Sequence, residues 1–146
     1  MERFDKDIAM EIAKSLGASY NIIHSRFYEA IKAIERATSI NAVMEAKQEL
    51  MSAIVMALPV QDDTCYFCLY DQQHRDTVMQ CEDCSYGIVH GTCGRVVDNT
   101  WQALRTMKYD LIYHINKHYW TGGELENAEY QRHQDRQVED TSMGKT

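Results

Sequence analysis

The sequence has few of the proline and glycine residues that usually interrupt helices and strands. It contains one proline and seven glycines in 146 residues, so long loops rich in turn residues are not expected. It also lacks an apolar run of the ~18 residues that a membrane span needs. The N-terminus, MERFDKDIAM, is charged from its second residue and has no apolar core of a secretory signal. These absences predict one soluble domain, intracellular in the cytoplasm or nucleus, with no membrane partner.

The charge balance lacks the basic excess that nucleic-acid-binding proteins usually carry. The formal net charge is −7, and residues 61–98 alone contribute −5, with two basic and seven acidic side chains. Residues 99–121 are mildly basic, with three basic side chains and one acidic. Nucleic acid is therefore disfavoured as a partner, and an acidic surface that attracts a basic segment of a partner protein is expected instead.

Five cysteines cannot all pair within one chain, and a reducing compartment favours metal binding by paired cysteines. Four of them form two CxxC pairs, Cys65 with Cys68 and Cys81 with Cys84, separated by twelve residues. Each pair directs two thiolates towards one ion, and zinc prefers tetrahedral sulfur and nitrogen ligands. A redox dithiol would be expected in a βαβ unit, which the sequence does not suggest. The simplest arrangement is one zinc held by both pairs.

Further candidate ligands lie beyond the two pairs. His90 and Cys93 form a third pair with knuckle spacing, and His114 and His118 are four residues apart. The two later histidines fall on the apolar arc of a predicted helix over 99–121, where they are either zinc ligands or hydrogen-bonded core residues. Five cysteines and three histidines give eight ligands, enough for two tetrahedral zinc ions. His74, between the CxxC pairs, is the residue most able to replace one of them.

The spacing Cys-x2-Cys-x12-Cys-x2-Cys-x5-His-x2-Cys, within residues 62–97, resembles the first six ligands of a plant homeodomain (PHD) finger and of other cross-brace or treble-clef modules. The family's final CxxC is absent, and Ile88 stands where the family has tryptophan. The resemblance therefore indicates a zinc geometry rather than a histone-binding role. It implies site 1 with Cys65, Cys68, His90 and Cys93, and site 2 with Cys81 and Cys84, which His114 and His118 would complete.

The remaining sequence predicts a mainly α fold. Apolar residues recur at helical spacing in 5–17, 19–37 and 41–58, which predicts a three-helix bundle within residues 1–60, with Gly17 ending the first helix. Residues 61–98 form the zinc knuckles, with at most a short β-hairpin from 76–82 and 86–91. A helix over 99–121 closes the second zinc site. Residues 1–121 form one domain, and the polar segment 122–146 is a disordered tail.

No catalytic signature accompanies these ligands. The sequence has no HExxH zinc motif and no phosphate-binding loop, and both proposed sites are filled by four protein ligands, as in structural zinc sites. We therefore expect a non-enzymatic, zinc-binding interaction or regulatory protein, with a homodimer through spare helix faces as one form. Two alternatives stay open: a nucleic-acid-binding zinc protein that uses the 99–121 helix, and a metalloenzyme with an open zinc position.

Overall fold

A computed structural model describes residues 3–74, 84–91, 99–121 and 132–139. Its helices are α1 Lys6–Arg36, α2 Ile40–Met56, α3 Tyr66–His74, α4 Ser85–His90, α5 Thr100–His114 and α6 132–139. A 3₁₀ turn, Asp62–Thr64, precedes α3, and a π-helical turn, Ile115–Tyr119, continues α5. Over these ranges the chain contains no strand. The prediction of a mainly α fold is confirmed.

The first helix is longer than predicted. It is continuous through Gly17, so the described residues of this region, 3–60, form a hairpin of two helices, and the predicted three-helix bundle is wrong. A glycine stops a helix when it adopts a positive φ, and among the described residues only Gly91 does so. The inward face continues past Gly17, from Ile8 through Ile12 and Ile23 to Ala30. Continuous packing therefore outweighs the cost of about 1 kcal/mol for a glycine inside a helix.

The predicted β-hairpin is also wrong where the structure describes it. Its second strand, 86–91, is instead helix α4, and its first strand, 76–82, lies outside the described residues. Cys84 caps the start of α4 by accepting a hydrogen bond from the Gly87 amide. Gly91, with φ of 82°, ends the helix. A cap and a glycine stop with six residues between them thus form one short helix from a segment that the alternating pattern alone assigns to a strand.

Helix α2 lies between α1 and α5. A three-residue connection, 37–39, joins it to α1, and the Ser39 hydroxyl caps its start by accepting from the Ala42 amide. Hydrogen bonds between α2 and the α5 region show that these two run antiparallel, because the partner numbers fall as the α2 numbers rise: Asn41 with Trp120, Gln48 with Ile115, and Met56 with Lys108.

Helix α3 docks against the first turn of α1. The Tyr66 hydroxyl donates to the Arg3 carbonyl and accepts from the Asp5 amide. His74, at the other end of α3, lies 2.9 Å from the Asp5 carboxylate, and this hydrogen bond lowers the pKa of Asp5. Because Asp5 is also the N-cap of α1, one carboxylate fixes both the helix start and the helix packed against it.

Few large apolar side chains are buried in the described part of the chain. The buried apolar residues are Ile8, Ala30, Ala46, Val60, Cys68, Cys84 and Ile115. Many larger ones remain exposed, chiefly along α1 and α5. Helix α1 is about 46 Å long and α2 about 26 Å, so α2 alone cannot cover the apolar face of α1. None of the described helices combines the length and apolarity that crossing a bilayer requires.

Candidate metal centre

The first CxxC pair lies at the start of α3. Cys65 directly precedes the helix, and Cys68 is buried in its first turn. The Cys68 thiol and the backbone amides of Cys68 and Phe67 donate hydrogen bonds to Cys65, and they lower the pKa of its thiol to about 6. Burial and the charge of Asp62 oppose this shift. A thiolate that is stable near neutral pH is the form that binds zinc.

Cys84, from the second pair, is also buried, with 3% of its surface exposed. Its Sγ accepts the Gly87 amide at 3.1 Å. Burial raises the pKa of the Cys84 thiol, and the charges of Asp71 and Cys65 raise it further. Because those two charges act on it, Cys84 lies in the same electrostatic environment as the first pair. The fold thus places one cysteine of the second pair within electrostatic range of Cys65.

Asp71 is a feature of this site that the sequence analysis missed. It is 1% exposed and lies three residues after Cys68 on α3, so the two residues share a helix face. Its charge acts on Cys84. The available signal was the spacing itself: an acidic residue one turn beyond a CxxC pair on a helix points to the same side as the second cysteine.

The donor set fits zinc in kind. Thiolates that accept backbone N–H bonds at helix starts are the soft ligands that zinc prefers. Within the described ranges, however, no three cysteine, histidine or acidic side chains come close enough together to hold a metal ion. Cys81 and Cys93, predicted as ligands of sites 2 and 1, lie outside the described residues. The two-zinc assignment therefore stays a prediction.

His90 and His74 are engaged elsewhere. The His90 ring is exposed at the end of α4 and stacks on Tyr86, with centroids 4.4 Å apart. The His74 ring packs against Tyr70 at 4.3 Å and bonds Asp5, so it does not replace a cysteine-site ligand in this arrangement. Behind His90, the Asn99 side chain donates to the carbonyls of His90 and Gly91 and accepts the Gln102 amide. Asn99 therefore joins α4 to the start of α5 and caps α5.

His114 and His118 do not face the core. Both are exposed, as are Leu104, Met107 and Leu111 on the same arc. The prediction that this arc points inward is wrong, because α5 instead buries an arc about 70° away, at Lys108 and Ile115. Burying Lys108 is favourable here because its ammonium binds two carbonyls at the end of α2.

The histidine pair also lies apart from the described cysteines. Arg105 is 3.6 Å from Asp62, in the turn that leads to Cys65. His114 is nine residues further along α5, about 13.5 Å along the helix axis. The structure therefore does not bring Cys84 together with His114 and His118, the three described members of predicted site 2.

Helix α5 and the turn that follows it present few exposed basic side chains to a nucleic acid. Of the three basic side chains in 99–121, Lys108 is 1% exposed and Arg105 pairs with Asp62, which leaves Lys117 exposed. Phosphate binding depends on several exposed cations, so this observation does not favour the nucleic-acid alternative.

Known proteins give no further guide to these residues. No protein-family model, curated protein or solved structure matches the chain. The resemblance of residues 62–97 to a PHD finger therefore rests on ligand spacing alone, and the site has to be interpreted from its own chemistry.

Proposed function

We propose that this chain is a helical protein-interaction module whose cysteine segment is held by structural zinc. The observation that carries the proposal is a stripe of exposed apolar side chains on α1, hereafter the α1 stripe: Leu16, Tyr20, Phe27, Ile31 and Ile34. Zinc has a supporting role in it, because it would fix the segment that packs beside the helices rather than take part in a reaction.

The α1 stripe is continuous. At about 100° per residue its five members fall within a 60° arc, next to the inward arc that contains Ile8 and Ala30. The exposed fractions run from 38% for Ile34 to 67% for Tyr20. Single exposed apolar residues are ordinary, but a contiguous row about 27 Å long is typical of an interaction surface. An amphipathic helix or a hydrophobic groove on a partner protein would cover it.

The zinc part of the proposal assigns Cys65, Cys68 and Cys84 to one ion, with Cys81 as the fourth ligand. The hydrogen bonds to Cys65 and Cys84 and their shared electrostatic environment support this grouping. It corresponds to the simplest arrangement in the sequence, one ion held by both CxxC pairs. A closed four-thiolate set leaves no coordination position for substrate. Structural zinc contributes about 10–16 kcal/mol of binding free energy, much of it coupled to folding.

The zinc assignment is tested by native mass spectrometry of the purified full chain, with and without a chelator. We expect zinc to be retained when His90→Ala is introduced and lost when Cys68→Ser or Cys81→Ser is introduced. If His90→Ala or Cys93→Ser releases the ion bound by Cys65, the interleaved site 1 predicted from the resemblance is correct instead.

The interaction surface is tested with a photo-crosslinking amino acid placed at Phe27 of the full chain in the cells that produce it. We expect a covalent adduct to a protein at Phe27 and none at the matched control position Asn21, which is exposed on α1 but off the stripe. Equal crosslinking at both positions, or none at either, would contradict the proposal.

A further inference from the structure

The exposed arc of α5 has a repeating order. Leu104, Met107, Leu111, His114 and His118, hereafter the α5 stripe, are spaced by three, four, three and four residues, which is the spacing of a two-stranded coiled-coil seam. The three apolar members are 45%, 59% and 47% exposed. No charged residue lies on the stripe. The arc thus has the form of a seam that nothing in the described structure covers.

The two histidines at the end of the stripe have the geometry of half a metal site. Their ring centroids are 5.5 Å apart with an angle of 44° between the rings. Two imidazoles bound to one tetrahedral zinc, with Zn–N of about 2.0–2.1 Å, have centroids about 5 Å apart. The separation of the two ring centroids is therefore compatible with both rings binding one ion. Tyr113 packs edge-on against both rings, at 5.7 and 5.4 Å, and restricts their freedom.

Two imidazoles leave a tetrahedral ion half coordinated. No other cysteine, histidine or acidic residue of the described chain joins them to form a metal-binding group. The missing pair is supplied most directly by a second copy of the same helix, because two-fold symmetry places identical residues opposite each other. In a parallel pairing of two α5 stripes, His114 and His118 of both chains meet at one level, beside a seam of leucine and methionine.

We propose that the α5 stripe binds a second copy of this chain in parallel, and that a zinc ion held by His114 and His118 of both copies completes the contact. The apolar part of the stripe, from Leu104 to Leu111, is about 10 Å long, or one heptad, and His118 follows in the π-helical turn. That length buries less than the roughly 800 Å² per partner of a typical stable interface. The apolar contact is therefore insufficient alone, and association depends on the ion. The proposal uses none of the cysteines and is independent of the proposed function.

The experiment begins with the full chain carrying only its tightly bound zinc, counted by native mass spectrometry. Zinc is then added while sedimentation equilibrium follows the molar mass. We expect uptake of half an ion per chain and a doubling of the mass, reversed by a weak chelator that leaves the tightly bound zinc in place. His114→Ala or His118→Ala should weaken zinc-dependent association at least tenfold, while the control His24→Ala, on exposed α1, should leave it unchanged. Leu111→Ser should weaken the association while preserving the helical circular dichroism.

Cobalt distinguishes the ligand sets. Cobalt bound at the histidine-dependent site should show no thiolate charge-transfer absorption. Thiolate absorption that disappears with His114→Ala would show that the histidines complete a cysteine site within one chain, and would overturn the proposal. A mass that does not change with excess zinc, or a doubling that persists in both histidine variants, would also overturn it. The zinc count at the cysteines is measured before these steps, so its failure is seen separately.

Discussion

The ammonium group of Lys108 lies 2.9 Å from the carbonyl oxygen of Met56 and 3.4 Å from that of Leu58. Met56 is the last residue of α2, so its carbonyl has no partner within the helix, and Leu58 lies two residues further on. A positive charge at that end also interacts favourably with the helix dipole. Lys108, on α5, therefore caps the C-terminal end of α2, and only 1% of its surface is exposed.

Replacing Lys108 by methionine should lower the free energy of unfolding by about 1–3 kcal/mol, because the Met56 carbonyl loses the hydrogen bond from the buried ammonium group. Urea denaturation followed by circular dichroism measures the change. The matched control is Lys117→Met, on the exposed side of the same helix, which should change stability by less than about 0.5 kcal/mol. Equal effects of the two substitutions would show that Lys108 acts only as a surface charge.

The bond between the Trp120 indole N–H and the Asn41 side chain, 2.9 Å long, should report on the other end of the α2–α5 contact. Asn41→Ala removes the acceptor and should cost about 1 kcal/mol, with a red shift of tryptophan fluorescence as the indole gains water. Asn21→Ala, on the exposed side of α1, is the control and should leave the emission unchanged. An unshifted spectrum in Asn41→Ala would show that the bond is not formed in solution.

Gly17→Ala should stabilise the protein by about 0.5–1 kcal/mol, since alanine is favoured over glycine inside a helix. A Cβ at this position meets no atom within 4 Å, so no steric cost offsets the gain. The reverse change at the neighbouring exposed site, Ala18→Gly, should destabilise by a similar amount. Thermal unfolding of both variants tests whether α1 is continuous: a helix that ended at Gly17 would instead be harmed by alanine there.

Among the described cysteines, Cys65 should have the most reactive thiol when the chain is metal-free. Its pKa of about 6 lies below its ordinary value of 9.0 because Cys68 and two backbone amides donate to the thiolate. Alkylation by iodoacetamide, mapped by mass spectrometry, should be half-maximal near pH 6 at Cys65, while buried Cys84 reacts little. Cys68→Ala should move the Cys65 midpoint upward. Reaction of Cys65 only above pH 8 would contradict the hydrogen bonds at the start of α3.

The same shift sets the pH dependence of stability in the metal-free state. Because the pKa of Cys65 is lower in the folded than in the unfolded chain, its thiolate stabilises the fold fully above about pH 9. That contribution falls as the pH decreases towards 6 and is absent below it. Comparing urea midpoints at pH 6 and pH 9 should show a smaller difference in Cys65→Ser than in the unchanged chain.

Helical periodicity was sufficient to predict the fold class and most of the helical residues, because apolar spacing reports which face of a helix is covered. It failed where two signals competed. Glycine is the residue type that usually ends a helix, but Ile12 and Ile23 pack on the same face of α1, and the helix continues through Gly17. On α5 the sequence identified the apolar arc correctly. It did not identify the face that packs on α2, because Lys108 binds there to backbone carbonyls, which no hydropathy pattern records.

The contact within the first CxxC pair could be predicted from the sequence, whereas the grouping of the more distant cysteines and histidines could not. CxxC spacing identified Cys65 and Cys68 as a pair, and their contact follows from local geometry. Which distant residues join them depends on how α3, α4 and α5 pack. The Asn99 bonds to the end of α4 and the Arg105 contact with Asp62 are the interactions that decide it, and neither has a sequence signature.

The unbroken course of α1 has a mechanical consequence. Its first turns are fixed to α3, beside the cysteines, and its later turns to α2. A helix without a hinge is stiff. A tilt of α1 at the end where α3 docks would therefore also move its opposite end. Metal binding at the thiols would thereby change the positions of Phe27 and Ile34 without any rearrangement of the side chains between them.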